Sequence, residues 1–231
     1  MRFAIIAAGE GSRLAEEGLK VPKPLVPVDG VPMIERLARV MMRCGADRIA
    51  VVINSENRVT EEFMRGLSRE LPVDLVVKST PSPMHSLMEL APFLRGDRFC
   101  VTTVDTVFSE SRLRSMMAEF SDTPFDGLMG VTPFVDDEKP LYVSVDDNMV
   151  INGFWDDETG CRYVSAGVYA LGTPALEILE GCVESGRTRM RYFQRRLLEC
   201  GLRLKAFDMG QVVDVDHVSD VDKATKIALE G

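Results

Sequence analysis

Near its start the chain carries a glycine-rich loop with the residue types that bind phosphate. Residues 8–14 read Ala-Gly-Glu-Gly-Ser-Arg-Leu. Glycines let the backbone approach a phosphate and point its N–H groups at the oxygens, and Arg13 adds a planar guanidinium suited to the same oxygens. Lys23 lies between Pro22 and Pro24, which stiffen the segment and hold the ammonium in place. We therefore predict that this loop binds the phosphates of a ligand.

Two common phosphate-binding patterns do not fit the loop. A dinucleotide-binding fingerprint needs a third small residue at position 14, where this chain has Leu14. A Walker A motif needs Gly-Lys-Ser or Gly-Lys-Thr, which does not follow these glycines. The remaining alternative is a surface turn with incidental cations, and the combination of Arg13 with Pro-Lys-Pro argues against it.

Three aspartates are candidates for binding a divalent cation. Asp105 follows an apolar stretch, and Asp214 and Asp216 are two positions apart in Val-Asp-Val-Asp. Alternation along a strand would put the last two side chains on one face. Hard cations such as Mg²⁺ prefer carboxylate oxygens, so the residue types suit this metal. The alternatives are a turn acid for Asp105 and an exposed acidic strand end for the pair.

These motifs together resemble the signature of the nucleotidylyltransferases that act on sugar phosphates and similar alcohol phosphates. The matching stretches are residues 8–14, 22–25 and 28–33. The resemblance implies an α/β Rossmann-like nucleotidyltransferase fold, with a mostly parallel mixed sheet flanked by helices. It implies a nucleoside triphosphate substrate, Mg²⁺, and catalytic phosphate contacts by Arg13 and Lys23. The residues that it would place on the nucleotide in this loop are Ala8, Gly9, Gly11 and Ser12.

The same resemblance implies a metal site. In the family a strand-end aspartate like Asp105 binds the metal, although Val104 stands here in place of the usual preceding glycine. Residues 213–220 resemble the family's closing Asp-x-Asp stretch before the last helix. Asp214, Asp216 or both would then be the second metal ligand.

Two further stretches resemble parts of the family that contact the nucleobase and the acceptor. Met84, His85 and Ser86 resemble a stretch in bacterial cholinephosphate cytidylyltransferases, which implies that they line the nucleobase pocket. The alternative is an ordinary helix N-terminus capped by Ser82. Gly167, within Ser-Ala-Gly-Val-Tyr, resembles the family's strand beside the acceptor and would permit close approach.

The lysine that often holds a sugar phosphate in the family is missing from its expected place. Residues 138–140 spell the family's Glu-Lys-Pro, but they precede a predicted hairpin turn at 146–148 instead of following it. The expected place reads Gly-Phe-Trp-Asp-Asp, at 153–157. Trp155 and Asp156 would form an aromatic acceptor site that favours cations, or Trp155 simply packs on the hairpin.

Strand-like and helix-like segments alternate through the first half, which predicts a parallel sheet with crossover helices. Ligands bind at the carboxyl ends of strands in such sheets, where the glycine loop and Asp105 both fall. The predicted strands of this half are 3–8, 48–53, 74–77 and 98–104, and the predicted helices are 33–44, capped by Gly45, 58–71 and 85–94.

The second half changes character and predicts a mixed sheet. Its predicted strands are 127–132, 142–145, 149–154, 162–170, 202–207 and 212–215, and its predicted helices begin at Pro174, at Met190 and at about Val218. No linker rich in Ser, Gly or Pro separates the halves. We predict one domain over 1–231, with a nucleotide-binding half at 1–125 and an acceptor-binding half with the closing metal-ligand strand at 126–231.

Composition argues against two classes of partner. The 231 residues include 36 acidic and 27 basic side chains, a formal net charge of −9. Nucleic acids and anionic membranes attract basic surfaces, so we expect neither as a partner. No apolar run approaches the ~20 residues of a membrane helix. The five cysteines lack CxxC spacing and suit reduced thiols in a cytoplasmic protein. Nothing in the sequence indicates an oligomeric state.

We therefore predict an enzyme that transfers a nucleotidyl group from a nucleoside triphosphate to a sugar 1-phosphate or a similar small phosphomonoester. The reaction would release pyrophosphate and need Mg²⁺, and the Ala-Ala-Gly opening favours CTP or UTP. The alternatives within enzymes are cholinephosphate cytidylyl transfer and, more remotely, molybdenum-cofactor guanylyl transfer. The alternative from another class is a non-catalytic module that senses a nucleotide sugar.

Overall fold

The computed structural model describes residues 1–135, 139–158 and 160–229. The strands are β1 (Arg2–Ala7), β2 (Pro27–Val28), β3 (Val31–Pro32), β4 (Arg48–Ile53), β5 (Val73–Val77), β6 (Phe99–Thr103), β7 (Thr106–Phe108), β8 (Gly127–Thr132), β9 (Tyr142–Val145), β10 (Ile151–Trp155), β11 (Tyr163–Leu171), β12 (Leu204–Asp208) and β13 (Val212–Asp214). The helices are α1 (Ser12–Glu16), α2 (Met33–Arg43), α3 (Arg58–Leu67), α4 (Pro83–Leu94), α5 (Glu110–Asp122), α6 (Pro174–Glu184), α7 (Met190–Glu199) and α8 (Asp220–Leu229), with a 3₁₀ turn at Lys23–Leu25.

A mixed sheet forms the centre of the molecule. Strands β6, β1, β4 and β5 lie side by side and are parallel. Strand β11 continues the sheet antiparallel to β6 and also pairs with β8 and with the β9–β10 hairpin, while β12 adds in parallel to β8. Strands of both sequence halves thus pair in one sheet, which confirms the predicted mixed architecture. The division of the chain at 125 stays a prediction.

Helices cover both faces of this sheet because successive apolar side chains of its central strands point to opposite faces. On β1, Phe3 and Ile5 face a core shared with α2, α3, α5 and α8. Ala4 and Ile6 face the opposite core, shared with α4, α6 and α7. Gly45, at φ 94°, follows the end of α2 in the left-handed conformation expected of a helix-ending glycine. The carboxyl ends of β1 and β6 lie at the same edge of the sheet. The glycine loop follows β1 there, and Asp105 follows β6.

Several elements differ from the sequence prediction, among them the short strands β2, β3 and β7, which were not predicted. Helix α5 was not predicted, although its buried residues Leu113, Met116, Met117 and Phe120 keep helical spacing. Helix α1 lies between the first predicted strand and the first predicted helix, where no helix was predicted. Helix α8 begins at Asp220, two residues later than predicted. No described helix is long and apolar enough to cross a membrane.

Candidate active site

The glycine loop joins β1 to α1 in a backbone conformation that its sequence requires. Gly11 has a φ of 66°, in the left-handed region that favours glycine. A Cβ atom at this position would lie 2.6 Å from Cβ of Lys23. No such obstacle exists at Gly9, whose Cβ position is open. The loop is therefore packed directly against the segment that carries the lysine.

Lys23 connects two of the predicted metal-binding aspartates. Its Nζ lies 2.5 Å from Oδ2 of Asp105 and 2.7 Å from Oδ1 of Asp216. Nη1 of Arg13 lies 3.0 Å from Oδ2 of Asp216. Burial opposes the positive charge of Lys23, but the carboxylates of Asp105 and Asp216 outweigh it and hold the pKa of the lysine above its usual value. The structure thus brings together two predicted cations and two predicted acids.

The third acid, Asp214, reaches the same place through a short antiparallel pair of strands. Strand β13 pairs with β7, which sets Asp214 opposite Thr106, and the N–H of Val215 donates to the carbonyl oxygen of Asp105 at 3.0 Å. Asp214 is exposed by its accessible surface, although protein atoms pack densely around its carboxylate. This burial, and then the charge of Asp105, raises the pKa of Asp214 to about 7, while a hydrogen bond from Thr106 opposes the shift.

The acids have the chemistry to bind a divalent cation, although they do not form a complete set of metal ligands. Oδ1 of Asp105 is buried and has no hydrogen-bond partner among the described residues. An unpartnered buried carboxylate oxygen is costly, and a hard cation would satisfy it. Among the described residues no three Asp, Glu, His or Cys side chains are grouped as metal ligands. In this arrangement the ammonium of Lys23 lies between Asp105 and Asp216 instead.

A cleft of about 340 Å³ opens beside these charges, and we call it the main cleft. It is lined by Arg13, Thr132, Phe134, Pro140, Val164, Ser165, Ala166, Val212, Asp214, Asp216, His217, Asp220 and Lys223. A second cavity of about 190 Å³ borders Gly9, Lys23 and Asn54. Because Lys23 and Asp216 also line a small cavity beside Gly11, the charged groups border open space on several sides. The charged centre is thus bordered by three cavities.

Two carboxylates outside the predicted site residues hold the segment that carries Asp216. Glu17, at the end of α1, accepts a hydrogen bond from the N–H of Val218 at 2.8 Å and bonds the ring of His217. The Asp220 carboxylate accepts from the N–H groups of Asp216 and His217 at 3.3 and 2.9 Å. The hydrogen bond between Glu17 and His217 lowers the pKa of the glutamate and raises that of the histidine. No sequence signal pointed to Glu17.

Two of the three residues predicted to line the nucleobase pocket have buried side chains. The Met84 side chain is fully buried, and that of Ser86 is nearly so, with its hydroxyl bonded to Thr80 at 2.6 Å. Ser82 caps α4 by accepting from the N–H of His85, whose ring also bonds the serine hydroxyl. The side chains of Met84 and Ser86 therefore face the core in this structure, and a role of the stretch in the nucleobase pocket stays a prediction. The helix-cap alternative describes this segment.

The structure places the two predicted acceptor residues, Gly167 and Trp155, in different surroundings. Gly167, at φ 71°, lies in a bulge of β11, and a Cβ there would be 3.3 Å from Oγ1 of Thr106, next to Asp214. Trp155 instead packs on the hairpin: its Nε1 donates to Ser144 at 3.0 Å, and it borders a separate cavity of about 530 Å³. Asp156 is paired with Arg191 and Arg195 on α7. Glu138, the first residue of the Glu-Lys-Pro stretch, lies outside the described residues.

Comparison with known proteins identifies the family. Residues 3–159 match the model of the MobA-like NTP transferase domain. The chain belongs to this family. It is 27% identical over 163 residues to CMP-5'-(3-aminopropyl)phosphonate synthase of Streptomyces rubellomurinus, covering 67% of this chain and 26% of the relative. It is 27% identical over 231 residues to the bifunctional IPC transferase and DIPP synthase of Rubrobacter xylanophilus, covering 98% and 51%.

The chain therefore spans between about a quarter and a half of the length of these curated relatives. Among solved structures, the inositol-1-phosphate CTP transferase of T. maritima superposes with a TM-score of 0.81 at 21% identity, covering 98% of this chain and 95% of that one. At this identity the likeness shows the fold. The predicted nucleotidyltransferase family and its Rossmann-like fold are both confirmed.

Proposed function

We propose that this MobA-like domain transfers a nucleotidyl group from a nucleoside triphosphate to a sugar 1-phosphate or a similar small phosphomonoester. The observation that carries the proposal is the convergence of Arg13 and Lys23 with Asp105, Asp214 and Asp216 at the carboxyl edge of the sheet. Nucleotidyl transfer depends mainly on positioning and on neutralising phosphate charge, and these residue types supply both. A nucleotide-sensing module would need neither an unpartnered buried carboxylate nor a cluster of acids.

The reaction balances without a covalent enzyme intermediate. An oxygen of the acceptor phosphate attacks the α-phosphorus, a new P–O–P bond forms, and the bond to the β-phosphate breaks to release pyrophosphate. Backbone N–H groups of the glycine loop and the Arg13 guanidinium would hold the triphosphate. Lys23, held by its neighbours in one position, would stabilise negative charge that grows around the α-phosphate.

Asp105 and Asp214 are the residues that we propose would hold Mg²⁺, because Asp105 has an unpartnered buried oxygen and Asp214 lies opposite the next residue, Thr106, in the β7–β13 pair. Bound there, the metal would neutralise phosphate charge and orient the α-phosphate for attack. Asp216, which is paired with Arg13 and Lys23, would release these cations to the triphosphate. Binding thus exchanges internal ion pairs for pairs with the ligand.

CTP is the nucleotide that we propose to test first. The matched relatives include a CMP-phosphonate synthase and, in structure, a CTP transferase, and the Ala-Ala-Gly opening of the loop agrees with a pyrimidine. The acceptor is less constrained, because no lysine occupies the place where the family often holds a sugar phosphate. Inositol 1-phosphate, glucose 1-phosphate, choline phosphate and an aminoalkylphosphonate therefore belong in one panel.

The test is pyrophosphate release from each of the four ribonucleoside triphosphates with each acceptor, with products identified by mass. We expect one pair to turn over with Mg²⁺ and none with EDTA. Asp105→Asn should lower kcat/KM at least a hundredfold, since one metal ligand is lost, whereas Asp122→Asn, at an exposed position on α5, should not. A folded sample without turnover on any pair refutes catalysis. Tight product binding that survives Asp105→Asn would instead support the sensing module.

A further inference from the structure

Two sets of contacts hold the segment that follows β13 against the glycine loop and α1. The first set is ionic: the Asp216 carboxylate lies 3.0 Å from Nη1 of Arg13 and 2.7 Å from Nζ of Lys23. The second set comes from Glu17, whose Oε2 accepts a hydrogen bond from the N–H of Val218 at 2.8 Å. The two sets use different atoms on both sides, so one can be lost while the other stays.

Glu17 is suited to this contact by its place in the fold. It follows the last residue of α1, the helix that carries Arg13 and comes directly after the glycine loop. Its backbone N–H donates to the carbonyl oxygen of Arg13 at 3.0 Å, and the buried side chain of Leu14 fixes the helix in the core. Its carboxylate contacts both the N–H of Val218 and the ring of His217, which are 201 and 200 residues away in sequence. Glu17 therefore joins the first helix directly to the segment after the last strand.

The two sets of contacts respond differently to a bound triphosphate. Arg13 and Lys23 are the cations that would pair with its phosphates under the proposed function, so their ion pairs with Asp216 are given up in the complex. The hydrogen bonds of Glu17 involve neither cation, and the exchange leaves them in place. The contact through Glu17 is therefore the one that persists when the nucleotide is bound.

The segment that Glu17 holds is continuous with the proposed metal site. Asp214 is the last residue of β13, and its carbonyl oxygen accepts from the N–H of Asp216 at 3.0 Å. Val218 follows only four residues after Asp214. The hydrogen bond at Val218 therefore limits how far the segment, and with it the aspartate at its start, can move away from the glycine loop.

We propose that Glu17 is a positioning residue that keeps Asp214 at the metal site once a triphosphate has taken the two cations from Asp216. It acts through Val218 and His217 and is not itself a ligand of the nucleotide or the metal. The proposal rests on the function proposed above, since it describes how that site stays assembled around its nucleotide. The contribution of Glu17 is largest when a triphosphate and Mg²⁺ are bound, and small in the free protein, where the ion pairs hold the same segment.

Calorimetric titration with a triphosphate and Mg²⁺, without an acceptor, tests this role. CTP is titrated first, and UTP, ATP and GTP are titrated in the same way. Glu17→Ala removes both contacts with the segment. Because these contacts are partly exposed, we count them as one ordinary hydrogen bond and expect the affinity to fall about fivefold. The melting temperature of the variant without ligand should scarcely change.

Two further variants separate positioning from loss of charge. Glu17→Gln keeps an oxygen that can accept from the N–H of Val218, so it should recover most of the affinity. Glu16→Ala removes the same charge from the neighbouring exposed position of α1 and should bind as tightly as the unaltered protein. Equal affinities of Glu17→Ala and the unaltered protein, with or without a lower melting temperature, overturn the proposal. A loss of the same size in Glu16→Ala, or binding of none of the four triphosphates, overturns it as well.

Failure of the proposed function is read separately. The affinities need no turnover, because no acceptor is present in the titration. If Glu17→Ala weakens triphosphate binding but the unaltered protein releases no pyrophosphate with any acceptor, nucleotidyl transfer is refuted and the positioning role stands. Turnover by the unaltered protein, together with full affinity in Glu17→Ala, would do the reverse.

Discussion

Replacing Lys23 by methionine separates its electrostatic role from its packing role. The methionine keeps most of the apolar stem but removes the ammonium that lies 2.5 Å from Asp105 and 2.7 Å from Asp216. Without metal, the variant then keeps the Arg13 pair with Asp216 but lacks the ammonium that lay between Asp105 and Asp216. We expect the metal-free variant to be markedly less stable than the unaltered protein.

The size of the loss follows from exposure. The Lys23 side chain is 11% exposed, Asp105 22% and Asp216 40%. Removing one partner of a buried ion pair costs about 3–5 kcal/mol, and solvent at Asp216 places this case at the lower end, about 3 kcal/mol. In a domain of this size each kcal/mol shifts the melting temperature by about 2–4 °C, so the expected drop is about 6–12 °C.

Thermal melts with EDTA and with Mg²⁺ check this reasoning. In the unaltered protein the ammonium competes with the metal for Asp105, so Mg²⁺ should stabilise Lys23→Met more than the parent. Metal at about 100 times its Kd would restore about 2.7 kcal/mol. Lys205→Met removes a more exposed lysine, 2.7 Å from Glu119, and should cost at most about 1 kcal/mol. An unchanged melting temperature for Lys23→Met, or a larger Mg²⁺ effect on the parent, would refute the competition.

Three further outcomes follow from the structure. A proton on Asp214, whose pKa is raised to about 7, must leave before a metal can bind, so Mg²⁺ affinity measured by calorimetry should rise severalfold from pH 6 to pH 7 and level off above it. Gly167→Ala forces a side chain into a φ of 71° and should lower the free energy of unfolding in urea by about 1–2 kcal/mol. Trp155→Phe loses only the bond to Ser144 and should leave the acceptor KM within about twofold.

Each of these has a contrary result. Mg²⁺ affinity that is flat with pH would remove Asp214 from the proposed ligands. Full stability of Gly167→Ala would mean that β11 relaxes without cost at its bulge. A tenfold rise in acceptor KM for Trp155→Phe would place the indole in the acceptor site after all.

Sequence reasoning predicted the charged centre well because several independent constraints agreed. An apolar run predicted β1, the glycines predicted a tight loop at its carboxyl end, and a second apolar run placed Asp105 at the end of β6. Parallel strands bring such ends to one edge. Lys23 and Asp216 form an ion pair although they are 193 residues apart in sequence. Their proximity could be predicted only from the family resemblance, because no local sequence pattern indicates it.

The sequence was less informative where the direction of a side chain on a helix matters. The resemblance at Met84 and Ser86 indicated residue types but not which side of α4 they occupy, and the helix turns both into the core. Gln194 on α7 is 3% exposed, although a glutamine in an arginine-rich helix indicates a solvent-facing position. It is buried only because β11 supplies Ser165 and Tyr169 as partners, and that pairing depends on tertiary contact.

The long separation between the halves of the charged centre also has a consequence during synthesis. Lys23 and Asp105 leave the ribosome well before Asp216, which follows the lysine by 193 residues. At ~5–20 residues per second, Lys23 precedes its last partner by about 10–40 s. The parallel strands have their sequence complete in that interval, yet β13 and the segment held by Glu17 do not yet exist. The ion pairs of the charged centre can therefore be completed only after the last strand, β13, and the segment that follows it have been synthesised.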